Sequence, residues 1–308
     1  MPLIVTGTIG IDTVETPTDR RERILGGSCT YFAAAASFFT QVRLVAVVGG
    51  DFDDDNRAIF SKFPNICIEG LEVRQASNTF AWGGRYLEDW NDRETTFTEL
   101  GVLEEHPPTP PAAYSDSKFV FLANSHPSIQ MGMLESFPQR VIAVADTMDL
   151  WLEIARPELD ALMRELDGIV INDAEAHQMT GHKNPITAGR SIVNDYDMTF
   201  VVVKKGEHGC ILVHRDGVAA LPAFPTETVI DPTGAGDSFA GGMMGYLAAA
   251  HSKDENIGMA SIQQAIAHGT VIASFTIESF SLDRLASLTV EEVAARYEQF
   301  AEMVKVRD

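Results

Sequence analysis

The chain is predicted to form an α/β fold, a doubly wound and mostly parallel sheet flanked by helices, with a small β lid. Three features predict it. Short apolar runs recur along the chain, most of them bounded by Gly, Asp or Asn. Helical stretches lie between them, and two polar segments break the alternation.

The runs at residues 3–6, 42–48, 119–123, 141–145, 168–171 and 200–203 are almost wholly Val, Ile, Leu, Phe and Ala. Strands of that kind are buried on both faces, the condition of a parallel sheet covered by helices. Helices are expected at 30–39, 158–165, 174–180, 184–194 and 261–274. In this architecture ligands collect at the carboxyl ends of the strands. Segment 13–25 is polar, and 73–101 mixes aromatics with charges, as in Thr79-Phe80-Ala81-Trp82. That alternation suits a half-exposed antiparallel ribbon, a lid that excludes water, a dimer surface, or both. The Pro-rich stretch 106–111 is then an extended connector back to the core.

With 308 residues and 45% hydrophobic content the chain can bury a large core. Cys29, Cys67 and Cys210 lie far apart, so neither a disulfide framework nor a zinc site is indicated. Residues 1–7 form a short apolar strand with no basic leader, and a cytoplasmic location away from membrane is expected. A net charge of -21 argues against nucleic acid, whose phosphates need a basic face. It also requires any nucleotide site to be locally electropositive, and it reads either as an ordinary acidic surface or as a fold favoured by screening at high salt.

The segment Asp231-Pro232-Thr233-Gly234-Ala235-Gly236-Asp237 precedes a run of small residues that can continue as a buried helix. Residues 234–237 then sit at a helix N-terminus, where unpaired N–H groups and the macrodipole favour an anion. Asp237 is either a helix cap or a base beside that anion. The spacing fits neither a dinucleotide fingerprint, since Phe239 stands where a third glycine belongs, nor a P-loop.

Four other constellations carry polar chemistry. Gly26-Gly27 forms a second glycine turn ahead of a helix, suited to a small ligand or to packing. Asp12, after the first strand, is a turn former or a carboxylate able to accept two vicinal hydroxyls. Asn172 with Glu175 makes a complete capping pair, and the same oxygens can organise Mg2+ through water. Lys204-Lys205-Gly206-Glu207-His208-Gly209 ends a strand in a hairpin where positive charge would serve a phosphate.

Together these segments resemble the ribokinase-like, or PfkB, carbohydrate kinase family over nearly the whole chain. The 231–237 segment looks like its C-terminal signature, Gly26-Gly27 like its N-terminal one, Asn172-x-x-Glu175 like its metal and phosphate motif, and Lys204-x-Gly206-x-x-Gly209 like its nucleotide hairpin. The resemblance implies a single ribokinase-like domain over 1–308 with its lid at 13–25 and 73–101. It implies Asp237 as general base, with the N–H groups of Gly234, Ala235 and Gly236 as an anion hole. Asp12, Gly26, Gly27 and Tyr31 would bind the acceptor. Lys204, Gly206, Gly209 and His268 would lie near the nucleotide. Asn172 and Glu175 would serve metal and phosphate. Asp231 and Thr233 would help hold a monovalent cation such as K+, beside the cofactors ATP and Mg2+. A homodimer through the lid is implied as well.

Tyr31 replaces the asparagine that many members place there, which leaves the acceptor open. The leading expectation is an ATP-dependent sugar kinase; the alternatives are a nucleoside kinase and a catalytically idle sugar- or nucleoside-binding protein. Tyr31 and Trp82 either stack on a base or pack as core aromatics under the lid.

Overall fold

The computed structural model describes residues 1–88, 90, 92–251 and 257–305. Positions 89 and 91 of the expected lid, and 252–256 and 306–308 of the expected domain, lie outside the described residues. In chain order the elements are β1 (Leu3–Thr6), β2 (Gly10–Glu15), β3 (Arg20–Gly26), α1 (Ser28–Ala36), β4 (Val42–Gly49), α2 (Asp54–Phe60), β5 (Ile66–Arg74), β6 (Ala81–Tyr86), β7 (Arg93–Glu99) and β8 (Phe119–Leu122). There follow α3 (Pro127–Glu135), β9 (Ile142–Ala145), α4 (Asp149–Ile154), α5 (Arg156–Met163), β10 (Gly168–Asn172), α6 (Asp173–Thr180), α7 (Pro185–Asp195) and β11 (Phe200–Lys204). The chain continues through β12 (Cys210–His214), β13 (Gly217–Leu221), α8 (Ala235–Ala250), α9 (Met259–Thr276), α10 (Asp283–Ser287) and α11 (Val290–Val304).

Nine strands form the main sheet in the order β13-β12-β11-β10-β9-β8-β1-β4-β5. Pairs from β11 to β5 run parallel, and the β11-β12-β13 edge is antiparallel. The continuous apolar strands β1, β8 and β9 are wholly buried. Alternate residues of each feed two cores. Leu3, Val5, Phe119 and Phe121 face α1, α8 and α9, whereas Ile4, Val120 and Leu122 face α3, α5 and α7. The alanine run of α1 is fully buried and lets α8 approach closely, Gly241 lying against the Phe32 backbone.

The lid is a second sheet, ordered β3-β2-β6-β7. It differs from the expected antiparallel ribbon in two respects. Strand β2 pairs with β6 in parallel, because the chain enters β6 only after crossing the main sheet as β5. Val73 and Arg74 belong to β5, which extends β4 pairing through Gly49↔Arg74, so the lid itself begins at β6. Val14, Tyr86 and Phe280 pack beneath the lid and tie its inner face to the core. Among the described residues no helix is long and apolar enough to cross a membrane.

Candidate active site

The turn before α8 is shaped by Gly234, the N-cap, at φ 75. A side chain there would be strained and would run into the Tyr31 ring. Asp231 organises the turn, its Oδ1 accepting from the Thr233 N–H at 2.9 Å. Thr233 in turn bonds through its hydroxyl to the Tyr86 hydroxyl of the lid at 3.1 Å. The Ala235 N–H donates to the Pro232 carbonyl at 3.2 Å, so it closes the turn instead of facing an anion as expected. Gly234 and Gly236 remain as helix-terminal donors. The Lys204 Nζ lies 2.8 Å from where a Gly236 side chain would begin, which places an ammonium directly at this N-terminus.

Asp237 stands in the first turn of α8, half-buried. Burial raises its pKa, while Lys204 and Arg93 act in the opposite direction by favouring the charged form. The capping reading of Asp237 fails on geometry, since the α8 N-cap is Gly234 and no side chain caps this helix. Lys204 ends β11 directly opposite Asn172, the last residue of β10. Asn172 and Glu175 form the reciprocal capping box of α6, with Asn172 Oδ1 accepting from the Glu175 N–H at 2.7 Å and Glu175 Oε2 from the Asn172 N–H at 2.8 Å. Burial pushes the Glu175 carboxyl up, and Lys204 draws it down. Gly206 and Gly209 shape the turn that follows Lys204, both at positive φ, with the Lys205 N–H bonded to the Gly209 carbonyl at 2.7 Å.

Asp12 lies on β2 of the lid, 4% exposed, with Oδ1 lacking any partner. Burial pushes its pKa up to about 7; N–H groups of Trp82 and Gly27 counter this, and the charges of Asp231 and Asp237 add to it. Gly26 is glycine because a Cβ would overlap the Asp12 carboxylate, and Gly27 at φ 95 caps α1. The paired glycines therefore serve the carboxylate and the helix start together.

Tyr31 is not free to meet an acceptor. It is 1% exposed and its ring supports Gly234 from below, the core role weighed for it from the sequence. Trp82 instead is only half-buried; its ring covers Gly84, and the Arg93 guanidinium sits 5.7 Å from its centroid. The structure also separates His268 from the cluster. Its ring stacks between Tyr246 at 4.0 Å and Tyr297 at 3.9 Å, with Phe39 edge-on at 5.3 Å. Tyr246 is about 13 Å along α8 from Asp237 at the usual helical rise. Burial lowers the His268 pKa to about 4, so this half-buried, stacked imidazole is held neutral.

Three residues join the site without having been expected. Asp146, immediately after β9, lies close enough to Asp237 for their charges to interact and is 6% exposed. Its signal was an acid placed at the carboxyl end of an apolar strand. Tyr86 and Arg93, opposite each other in β6 and β7, reach the site from the lid. In the sequence Arg93 is one more charge in a polar strand and carries no such signal. Among the described residues no three acidic, His or Cys side chains form a metal cage. Carboxylates beside a helix N-terminus, with the Asp146 Oδ1 unpartnered, suit a hydrated Mg2+ held largely through water. Asp231, 1% exposed with Oδ2 unpartnered, suits a monovalent cation.

The profile of the pfkB family carbohydrate kinases matches residues 109–287, more than half of the chain. The chain is 29% identical to the cytidine kinase of Thermococcus kodakarensis over 254 residues, covering 80% of this chain and 88% of that one. It shares its fold with the nucleoside kinase of Burkholderia thailandensis solved with inosine, at TM-score 0.77 and 20% identity over 97% of this chain and 98% of that one. It likewise shares it with an E. coli ribokinase II candidate solved with ATP and Mg2+, at TM-score 0.76 and 15% identity over 96% and 99%. These matches show that the chain belongs to the pfkB carbohydrate kinase family and is a phosphotransferase with a hydroxyl acceptor.

Proposed function

We propose that the chain is an ATP-dependent nucleoside kinase that phosphorylates the 5′-hydroxyl of a ribonucleoside. One observation carries this reading: the buried Asp12 carboxylate, with an unpartnered oxygen, lies near the Trp82 backbone, and the half-exposed Trp82 indole is on the same lid sheet. A carboxylate that grips a 2′,3′-diol beside an aromatic surface for a base suits a nucleoside better than a free sugar. The similarity to a cytidine kinase supports the same choice over the sugar acceptor expected first.

In this reading Asp237 takes the proton from the 5′-hydroxyl as it attacks. The Gly234 and Gly236 N–H groups and the Lys204 ammonium receive charge developing on the phosphoryl oxygens. Asn172 and Glu175, at the carboxyl end of β10, lie beside Lys204 on the nucleotide side. Gly206 and Gly209 let the following turn approach the nucleotide. Asn172 and Glu175 would hold Mg2+ through water, and the ion would supply positive charge to the nucleotide's phosphates. Asp231 and the turn at Thr233 would hold K+, so turnover is expected to rise when KCl replaces choline chloride; equal rates would remove that role.

The test is ADP release with Mg-ATP and a panel of nucleosides and free sugars. Nucleosides are expected to turn over with far higher kcat/KM than ribose or fructose, and the reverse order would sink the nucleoside reading. Trp82→Ala is expected to raise the nucleoside KM about tenfold, on the scale of one base–aromatic stack, with little change in kcat. An unaltered KM would take Trp82 off the base. Asp12 supplies a pH prediction. With its pKa near 7 the carboxyl is neutral below that pH and a charged acceptor above it. KM for the nucleoside should therefore fall from pH 6 to pH 8, and Asp12→Asn should flatten the profile while raising KM at pH 8. A wild-type profile as flat as the variant's would contradict the role.

A further inference from the structure

Tyr86, the last residue of β6, is 6% exposed, and its ring packs with Val14 of β2 and with Phe280 beyond α9. Its hydroxyl accepts from the Thr233 hydroxyl at 3.1 Å. Burial raises the Tyr86 pKa, so at pH 7 this group is a neutral hydrogen-bonding partner and not a charge. Thr233 stands one residue before Gly234, the N-cap of α8, and its N–H is held by Asp231 Oδ1 at 2.9 Å. The chain just before is tied to the core, the N–H groups of Ile230 and Asp231 donating to the Ile277 carbonyl at 2.8 and 3.4 Å. The turn is thus pinned from the core at Asp231 and from the lid at Thr233.

On the lid side, the strand that carries Tyr86 is registered against the strand that carries Asp12. Strands β2 and β6 pair through Thr13↔Gly83, Val14↔Gly84 and Glu15↔Arg85, and an ion pair from Arg85 Nε to Glu15 Oε1 at 3.0 Å closes the last rung. Tyr86 follows that rung directly, so any displacement of the β2-β6 pair carries the hydroxyl with it. Arg93 faces Tyr86 across β7, and its charge bears on both Tyr86 and Asp237. Asp12, Tyr86 and Arg93 therefore belong to one sheet, and Tyr86 joins that sheet to the start of α8.

We propose that Tyr86 is a positioning residue: through Thr233 its hydroxyl fixes the turn that aims the Gly234 and Gly236 N–H groups, so the seating of the lid strands around the acceptor sets the geometry of the anion site. This rests on the phosphoryl-transfer reading above and not on which acceptor is used. The competing account is that Tyr86 only fills space between lid and core. Tyr86→Phe separates the two, because it keeps the ring against Val14 and Phe280 and removes the hydroxyl alone. The variant is expected to melt close to wild type. Thr233→Val breaks the same bond from its other end.

The experiment measures kcat and KM for wild type, both single variants and the double variant at saturating Mg-ATP and KCl, with whichever nucleoside or sugar wild type turns over fastest. Each single variant should lower kcat about 10- to 100-fold, the scale of a small misplacement of the reacting groups, with the acceptor KM within about twofold of wild type. The double variant should lose no more than the worse single, because both changes break one bond. Should Thr233→Val fail to fold, the kcat and KM of Tyr86→Phe decide alone. Wild-type kcat in Tyr86→Phe overturns the proposal, as do losses that multiply in the double variant or an effect confined to KM. A wild type that prefers a sugar overturns the nucleoside reading alone, and the same variants are then read with that sugar. One that turns over no acceptor overturns the phosphoryl-transfer reading and this proposal together.

Discussion

Asp237→Asn is expected to lower kcat by at least about 100-fold, the usual scale for a positioned base, with ADP binding and melting temperature retained. The retained stability follows from the surroundings. Asp237 lies against Asp146 in a place where burial disfavours both charges, so the amide removes a like charge and keeps a hydrogen-bonding group. Steady-state turnover and a thermal melt on the same preparation check both halves. A variant with wild-type kcat would remove Asp237 from the chemistry.

Gly234→Ala should be nearly as damaging by a different route. At φ 75 the alanine costs about 1–2 kcal/mol of backbone strain, and its methyl runs into Tyr31, which has no room to yield at 1% exposure. Relief requires the start of α8 to shift, and the N–H groups aimed at the phosphoryl shift with it. Loss of one such donor typically costs about 100- to 1000-fold in kcat. Gly234→Ala combined with Tyr31→Leu should recover part of the loss, because the smaller side chain opens space below the turn. Activity of the single variant within a few-fold of wild type would show that the turn is not the anion site.

The strands of the main sheet were legible because burial on both faces writes them as unbroken apolar runs. Residues 3–6 coincide with β1, and the others fall within one residue of the observed ends. The lid was legible as an anomaly and not as a topology. Its half-exposed strands announce a two-residue alternation, but a parallel β2–β6 pairing depends on the path of β5, which no local pattern encodes. At the site, the 231–237 segment and the two glycine pairs were readable because turns at positive φ or pressed against a neighbouring group demand glycine. Arg93 was not, and Asp146 carried only the general signal of an acid at a strand's carboxyl end, since a single acid or base acquires meaning only from what the fold sets beside it. His268 shows the converse. Its placement near the nucleotide came from resemblance alone, whereas the Tyr246 and Tyr297 rings that close around it are distant in sequence.

The most direct test of a 5′-nucleoside kinase is the 31P NMR spectrum of the product formed from Mg-ATP and cytidine, with the other ribonucleosides run in parallel. Transfer to the primary hydroxyl predicts a new phosphomonoester resonance split into a triplet by the two 5′-protons, absent with Asp237→Asn. A doublet, which marks a secondary hydroxyl, or a phosphomonoester formed only from free sugars would contradict the assignment of Asp12 to the diol and Asp237 to the 5′-hydroxyl.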